Sequence, residues 1–525
     1  MRRLRLHDRL WWGAIGGGCL HAFALTPWVA QVWPPLSALL QTAGLICLLV
    51  LLSGPVSARR GAVCAWLYST AWLIGGTGWI YVSLHRYGEL PAWLSALSVL
   101  ALSLFLSSFM AAAAWCWLAW RRLQVWRDAL AWAGLWLLAE VTRALIFTGF
   151  PWAVSGYGLV DVGWRLAAPW VGVYGAGALW AGVVAWLVLG WRLSQSHPDA
   201  QRAPAKWALA MLVLVVTLMW QPASSILTFT RAVGHPLSVT LLQGNVPQDE
   251  KFVPELQVPM LIWYARELAQ AQTDLVVAPE TAVPLLPSQL PDDYWRGLTH
   301  AFQAPGRHAL FGVPLGSFES GYTNSVAGMS AQAAQMPDGF YRYNKHHLVP
   351  FGEFIPLGFH WFVAMMNMPL GDFARGPLVS PSFEVSGQRV APTICYEDLY
   401  GEEIAARFVD AGKAPTVLAN VSNLAWFGED VAIFQHQQIA RMRSLEFQIP
   451  TIRATNTGAT MIVDHDGRIV RRLQPNTRGA LVSSVQGYEG VTPYAWWAGR
   501  WGLWPLVLLG LMVAIPFNRI GLLRR

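Results

Sequence analysis

Cys395 is the side chain in this sequence whose chemistry most needs an account. It closes the apolar run RVAPTIC, directly before a turn and a helix expected to start near Gly401. α/β folds place reactive groups at such carboxyl ends of strands, close to helix N-termini that stabilise a thiolate. A thiol there becomes a nucleophile when a base takes its proton, and acyl transfer also needs a donor where the oxyanion develops. Glu280 ends another apolar run, LVVAPE, and Lys345 follows the strand-like FYRYN and precedes HHLVPFGE. A carboxylate, an ammonium and a thiol at three strand ends can converge on one reacting centre. The competing account of Cys395 is plain burial of a small side chain. No GxSxG, HExxH or paired CxxC occurs, and the His346–His347 doublet and His436 are too sparse for zinc, so neither metal nor cofactor is expected.

The elements that must position these groups are short. Residues 237–246, 274–281, 308–315, 388–398, 414–423 and 459–470 read as strands, the last turning at Asp464-His-Asp-Gly467. Residues 258–272, 402–412 and 431–448 carry helical periodicity. Strands alternating with helices predict an α/β layered domain.

The rest of the chain is a different material. Of 525 residues, 54% are hydrophobic and 13% charged, well below the charge of ordinary soluble domains. The net charge of +7 resolves into −6 over residues 223–498 and +13 elsewhere, and 24 of the 30 Trp also lie outside that segment. Trp is enriched where a ring can sit at lipid headgroups. The acidic segment is long enough for one well-buried core, and the basic remainder points to a membrane rather than to nucleic acid.

Eight stretches approach the roughly 20 apolar residues that a spanning helix needs: 9–25, 35–52, 62–82, 92–118, 128–148, 168–191, 206–222 and 499–517. Trp11, Trp12 and His21 interrupt the first, which reads as an uncleaved helix rather than a signal peptide. With the N-terminus inside, cytoplasmic segments hold Arg2, Arg3, Arg5, Arg9, Arg59, Arg60, Arg121, Arg122, Arg127, Arg192, Arg202, Lys206, Arg519, Arg524 and Arg525. The short loops opposite hold only Arg86 and Arg165, the asymmetry of the positive-inside rule. The expected organisation is seven transmembrane helices over 1–222, an extracytoplasmic domain over 223–498, and an eighth helix with a cytoplasmic tail over 499–525. Glu140 and Arg143 share one face of the fifth span, either as a self-neutralising packing pair or as a functional site. The GFPW that follows, residues 149–152, should break that helix. Four other cysteines, Cys19, Cys47, Cys64 and Cys116, fall in spans and read as packing.

The set Glu280, Lys345, Cys395 in that chain order resembles the nitrilase superfamily. Seven spans before the domain and one after resemble, more narrowly, its membrane-embedded branch, the apolipoprotein N-acyltransferase family. The resemblance runs through QGNVPQ (243–248), APET (278–281), YNKHHLVPFGEFIP (343–356), ICYED (394–398), SNLAWFG (422–428), HQQIARMRSLE (436–446) and RATNTG (453–458), besides GFPW. It implies an αββα sandwich facing the periplasm from a bacterial inner membrane. It implies that Cys395 is acylated by a phospholipid, chiefly phosphatidylethanolamine, and passes the chain to the α-amine of a diacylglyceryl-Cys on an apolipoprotein. Glu280 would be the general base, and Lys345 would stabilise the oxyanion and favour the thiolate. Glu353, Tyr396 and Glu397 match supporting positions, as chemistry or as scaffold. Trp426 and Phe427 look like part of an aromatic lid near the lipid opening, or packing. Phe252 and Leu424 stand where many members have Trp and Asp, which puts any substrate-handling role there in doubt.

Two other readings stay open from the residues. A membrane-tethered nitrilase-like amidase would share the three groups but leaves the spans without a purpose. A transporter with an external binding domain is opposed by the few ionisable groups in the spans and the lack of repeated halves.

Overall fold

The computed structural model describes residues 2–195, 203–220, 227–319, 321–365 and 372–515. Two compact units share the chain: Met1–Ile80, Ala92–Ser224 and Leu503–Arg525 form one, Tyr81–Pro91 and Ser225–Gly502 the other. Arg202, Arg519, Arg524 and Arg525, and the ends of the seventh and eighth apolar stretches at 221–222 and 516–517, lie outside the described residues.

Each of the eight apolar stretches is mainly helical where it is described. Among the described residues, four helices are long and apolar enough to cross a membrane: Pro35–Leu52, Ala92–Trp120, Val125–Thr148 and Gly163–Gln195. The pair Pro493–Trp501 and Trp504–Ala514, taken as one broken span, would make a fifth. Ala58–Thr77 opens on Arg59 and Arg60, and Ala203–Met219 has only 17 residues. The architecture is therefore a helical unit with four to five apolar spans, short of the eight expected.

One further expectation about this unit changes. Trp72, Trp117, Trp132, Trp136 and Trp180 are at most 1% exposed, so part of the Trp excess fills the helix bundle rather than its rim. Trp72 stacks on His21 (4.0 Å), whose Nδ1 meets the Tyr68 hydroxyl at 2.7 Å. Glu140 and Arg143 act on each other through their charges, without a direct ion contact. The Glu140 carboxylate accepts from the Ser155 amide (2.8 Å) and hydroxyl (3.1 Å), bonds that the i,i+3 guanidinium does not displace. Arg143 instead lies over the Trp72 ring at 5.4 Å, with Nε and Nη2 left without hydrogen-bond partners. The chain does break after this helix: Phe147, Thr148, Gly149 and Ala153 all have positive φ, and residues 151–160 are buried.

The second unit is layered as the alternating pattern predicts. One six-stranded sheet runs in the order Ile469–Arg472, Met461–Val463, Thr451–Thr455, Val417–Ser422, Gln388–Ile394, Phe383–Val385. The other runs Gly479–Val485, Leu237–Gln243, Leu275–Val277, His308–Ser317, Gly321–Met329, Tyr341–Asn344. Three adjacent strands of each run parallel to one another, and the remaining pairings are antiparallel. Successive side chains of a strand point to opposite faces. Thus Val239, Leu241, Val277 and Leu310 meet Val390, Ile394, Val421 and Ile452 between the sheets. On the outer faces, Leu242, Val276 and Phe311 pack on Met260, Tyr264 and Leu268 of the helix Pro254–Gln270, and Ala391 and Leu418 on Phe408, Phe447 and Tyr494. Helix, sheet, sheet, helix is the result. Asp464 and Gly467 close the hairpin between Met461–Val463 and Ile469–Arg472 as expected (Gly467 φ +74°). The helix expected over 402–412 is shorter, Gly401–Ala405, and tightens into a three-ten turn over Ala406–Phe408.

Candidate active site

The strand before Glu280 stops at Val277, because Pro279 has no amide hydrogen to continue the ladder. The turn leaves Glu280 mostly buried, followed by Thr281 at φ +49°. Lys345 follows the strand Tyr341–Asn344 of the same sheet, and its amide is held by the Asn324 carbonyl at 2.8 Å. Cys395 follows Gln388–Ile394 in the facing sheet, also at φ +49°. A side chain larger than Gly at positive φ persists only where its surroundings over-determine it, and such residues cluster at functional sites.

Glu280 and Lys345 share one buried network, whose charges also act on the Cys395 thiol. Lys345 is 1% exposed, and its Nζ donates to Glu353 Oε1 at 2.9 Å and to Glu280 Oε1 at 3.5 Å. Asn324 Nδ2 donates to the same two oxygens, at 2.8 Å to Glu280 and 2.6 Å to Glu353. Glu280 Oε2 accepts from the Asn423 backbone amide at 2.9 Å, which ties the first sheet's turn to the end of Val417–Ser422 in the second. Burial alone would lower the Lys345 ammonium, but Glu353, Glu280 and Cys395 around it hold it above the ordinary lysine range. Burial, and then Glu280, pushes the Cys395 thiol up to about 12; Lys345 and Arg453 pull it down by less. Lys345 thus acts in the expected direction without winning. At neutral pH the thiol keeps its proton, so attack requires a base to remove it.

Glu397 joins the ends of the two sheets. Its Oε2 accepts from the Tyr343 hydroxyl and the Ile394 amide (both 2.7 Å), its Oε1 from the amides of His346 (2.6 Å) and His347 (3.2 Å). Those are the residues flanking Lys345 and the residue before Cys395. Tyr396 accepts from the Tyr400 hydroxyl at 3.1 Å, and Tyr400 stacks on His347 at 3.5 Å. Glu353 Oε2 accepts from the Val349 amide at 2.8 Å. Trp426 meets the Tyr87 ring edge-on at 5.4 Å, beside the Arg86–Asp249 ion pair at 3.3 Å, while Phe427 packs against the inter-sheet core. Phe252 is 46% exposed, and Leu424 is fully buried in that core. Among the described residues, no three of His, Cys, Asp and Glu gather as a metal site.

Several contributors are absent from the sequence reading. Asn324 is one, and Lys251 is another. Its buried Nζ donates to the Glu280 carbonyl (3.2 Å) and to Thr281 Oγ1 (2.6 Å). Burial lowers this amine to about 7, with Glu280 opposing. Both residues face the site from partners distant in sequence, and the only signal available was the position of Lys251 just after QGNVPQ.

Carbon-nitrogen hydrolases provide a family model that matches residues 239–494, and the N-terminal domain of apolipoprotein N-acyltransferases provides one that matches residues 17–185. An apolipoprotein N-acyltransferase of Verminephrobacter eiseniae is 44% identical over 511 residues, 94% of this chain and 93% of its own. One of Ralstonia nicotianae is 41% identical over 507 residues, 95% and 91%. Among solved structures, an amidase from Nesterenkonia sp. is 14% identical with a TM-score of 0.35, covering 50% of this chain and 94% of that one.

Proposed function

The chain belongs to the apolipoprotein N-acyltransferase family, and from that premise we propose that it moves an acyl chain from a phospholipid, through a thioester on Cys395, to the amine of a lipid-modified protein. The observation that carries this reading is the buried convergence of Glu280 and Lys345 beside a thiol that is protonated at rest. In the first half, Glu280 takes the thiol proton as Sγ attacks the ester carbonyl. Lys345 faces the oxyanion, and the lysophospholipid alkoxide leaves with the proton Glu280 returns. In the second half the acceptor amine attacks the thioester, Glu280 takes its proton, and the Cys395 sulfur leaves and recovers that proton from Glu280. A thioester suits this division because Cys is both a good nucleophile and a good leaving group.

The donor on this reading is chiefly phosphatidylethanolamine, and the acceptor is the α-amine of the N-terminal diacylglyceryl-Cys of an apolipoprotein. Both are lipid-anchored, which gives the apolar helices a purpose that a small-amide hydrolase lacks. The loop charge bias supports eight spans with both termini cytoplasmic, and a catalytic domain over 223–498 in the periplasm of a bacterial inner membrane. Glu353 and Glu397 support the site through Lys345 and the two strand ends, and Tyr396 braces the turn. Trp426, Phe427 and Phe252 are the aromatic candidates for shielding the thioester from water.

The test is incubation of the purified protein with phosphatidylethanolamine labelled in an acyl chain. Hydroxylamine-labile label on Cys395, moved to the α-amine of an added diacylated lipopeptide, is the expected result. No label on the wild type, label that survives Cys395→Ala, or release only as free fatty acid would sink the reading.

A further inference from the structure

Arg453 is an unusual residue to find in mid-strand. It lies in Thr451–Thr455, two strands from the one that ends at Cys395, and is 0% exposed. A buried guanidinium is costly unless it is paired and hydrogen-bonded. Its Nη1 donates to the His436 carbonyl (3.1 Å) and reaches Asp398 Oδ2 (3.5 Å); its Nη2 donates to Ser422 Oγ (3.2 Å) and to His436 Nδ1. A guanidinium has no acceptor atom, so the Nδ1 that it meets carries no hydrogen, and the ring hydrogen sits on Nε2. That Nε2–H is 3.2 Å from the Cys395 carbonyl oxygen, which Asn420 Nδ2 also approaches at 3.5 Å. Burial, then Arg453, holds His436 well below the usual histidine range, which keeps the ring neutral and its tautomer single.

We infer that Arg453 and His436 are positioning residues for Cys395: the guanidinium fixes the imidazole tautomer, the imidazole holds the nucleophile's carbonyl in its left-handed turn, and the cation behind that carbonyl favours the thiolate. The inference rests on the reading of Cys395 as the nucleophile. Around the thiol, Glu280 and Glu353 oppose ionisation while Lys345 and Arg453 promote it. Asp398 faces Arg453 and is itself influenced by Arg443. Arg453 is thus a second cation acting on the thiol, one that the acyl-transfer steps leave otherwise unexplained.

The test is the rate of Cys395 alkylation by iodoacetamide in the detergent-purified full chain, read on the Cys395 peptide by mass spectrometry between pH 7 and 9. Sulfur–carbon bond formation expels iodide and the thiol proton goes to solvent, so the rate follows the thiolate fraction, about tenfold per pKa unit. Arg453→Met should slow alkylation about tenfold at every pH with an unchanged slope, and Arg453→Lys should stay within about threefold of wild type. His436→Leu should slow formation of the labelled acyl-enzyme more than alkylation, with His436→Gln restoring both. Arg453→Met that reacts as fast as wild type overturns the inference, as do Lys and Met variants equally slow and equally destabilised. If Arg453→Met is not recovered folded, equal rates in His436→Leu and His436→Gln overturn it. Acyl transfer surviving in Cys395→Ser would instead remove the reading of the nucleophile, whatever the alkylation rates.

Discussion

Glu353 offers a quantitative test of how the site divides its charges. Lys345 Nζ lies 2.9 Å from Glu353 and 3.5 Å from Glu280, so the ammonium is anchored away from the base. In Glu353→Gln that anchor loses its charge, and the ammonium is free to close on Glu280. Moving a unit charge from 3.5 to 2.9 Å at an effective dielectric of about 20 strengthens the Lys345–Glu280 attraction by about 1 kcal/mol. That attraction must be given up when Glu280 accepts the thiol proton, so formation of the acyl-enzyme should slow by about fivefold or more. Gln also turns an amide toward the Val349 N–H that Glu353 Oε2 now accepts, and an unsatisfied buried donor costs about 1–3 kcal/mol. The assay is single-turnover labelling of Cys395 by acyl-labelled phospholipid, with thermal unfolding measured on the same preparation. A lowered unfolding temperature with an acylation rate within twofold of wild type would refute the reasoning, leaving Glu353 as scaffold alone.

Other outcomes follow from the same contacts. Glu280→Gln should lower acyl-enzyme formation by about 10²–10⁴, the range for loss of a general base, and Lys345→Ala by about 10²–10³, the range for loss of an oxyanion donor; single-turnover labelling reads both, and retained activity in either removes that residue from the mechanism. Glu397→Gln faces one or two N–H groups with an amide, and should lower stability by about 1–3 kcal/mol in a denaturant titration; an unchanged midpoint contradicts its role in joining the sheets. The Lys251 amine is lowered to about 7 by burial, so above that pH the folded chain binds fewer protons than the unfolded one. Its contribution therefore makes stability rise with pH from about 7 towards the ordinary lysine range, by up to about 1.4 kcal/mol per unit. Lys251→Met should flatten the rise of unfolding temperature between pH 7 and 9, and an unchanged slope would count against a neutral Lys251.

The positions of Glu280, Lys345 and Cys395 were legible because the signal is local: an apolar run, then a polar residue where the run stops. The two carboxylates and the ammonium meet in the fold through Asn324, which belongs to a strand lying between those that carry Glu280 and Lys345. No local pattern announces that, since a lone Asn in GYTNSVAGM looks like any strand polar residue. Arg453 was hidden for a related reason. A charged residue in mid-strand reads as solvent-facing until the helix Val431–Phe447 is known to cover it with His436. The helical character of the apolar stretches, where they are described, was legible from composition, and four to five of them are long and apolar enough to span. The i,i+3 spacing showed that Glu140 and Arg143 share a face and feel each other's charge, but not that Ser155 on the following turn supplies the direct hydrogen bonds.

Glu397 has a consequence for how the site behaves as the protein breathes. One carboxylate holds the amides of Ile394, His346 and His347 and the hydroxyl of Tyr343, so the peptides beside the nucleophile and beside the ammonium hang from a single rivet. Local openings of a fold occur in cooperative groups whose members exchange their amide hydrogens together. The rivet places segments 50 residues apart in the sequence in one such group. Loss of Glu397 should therefore expose the amides of Ile394, His346 and His347 to exchange together.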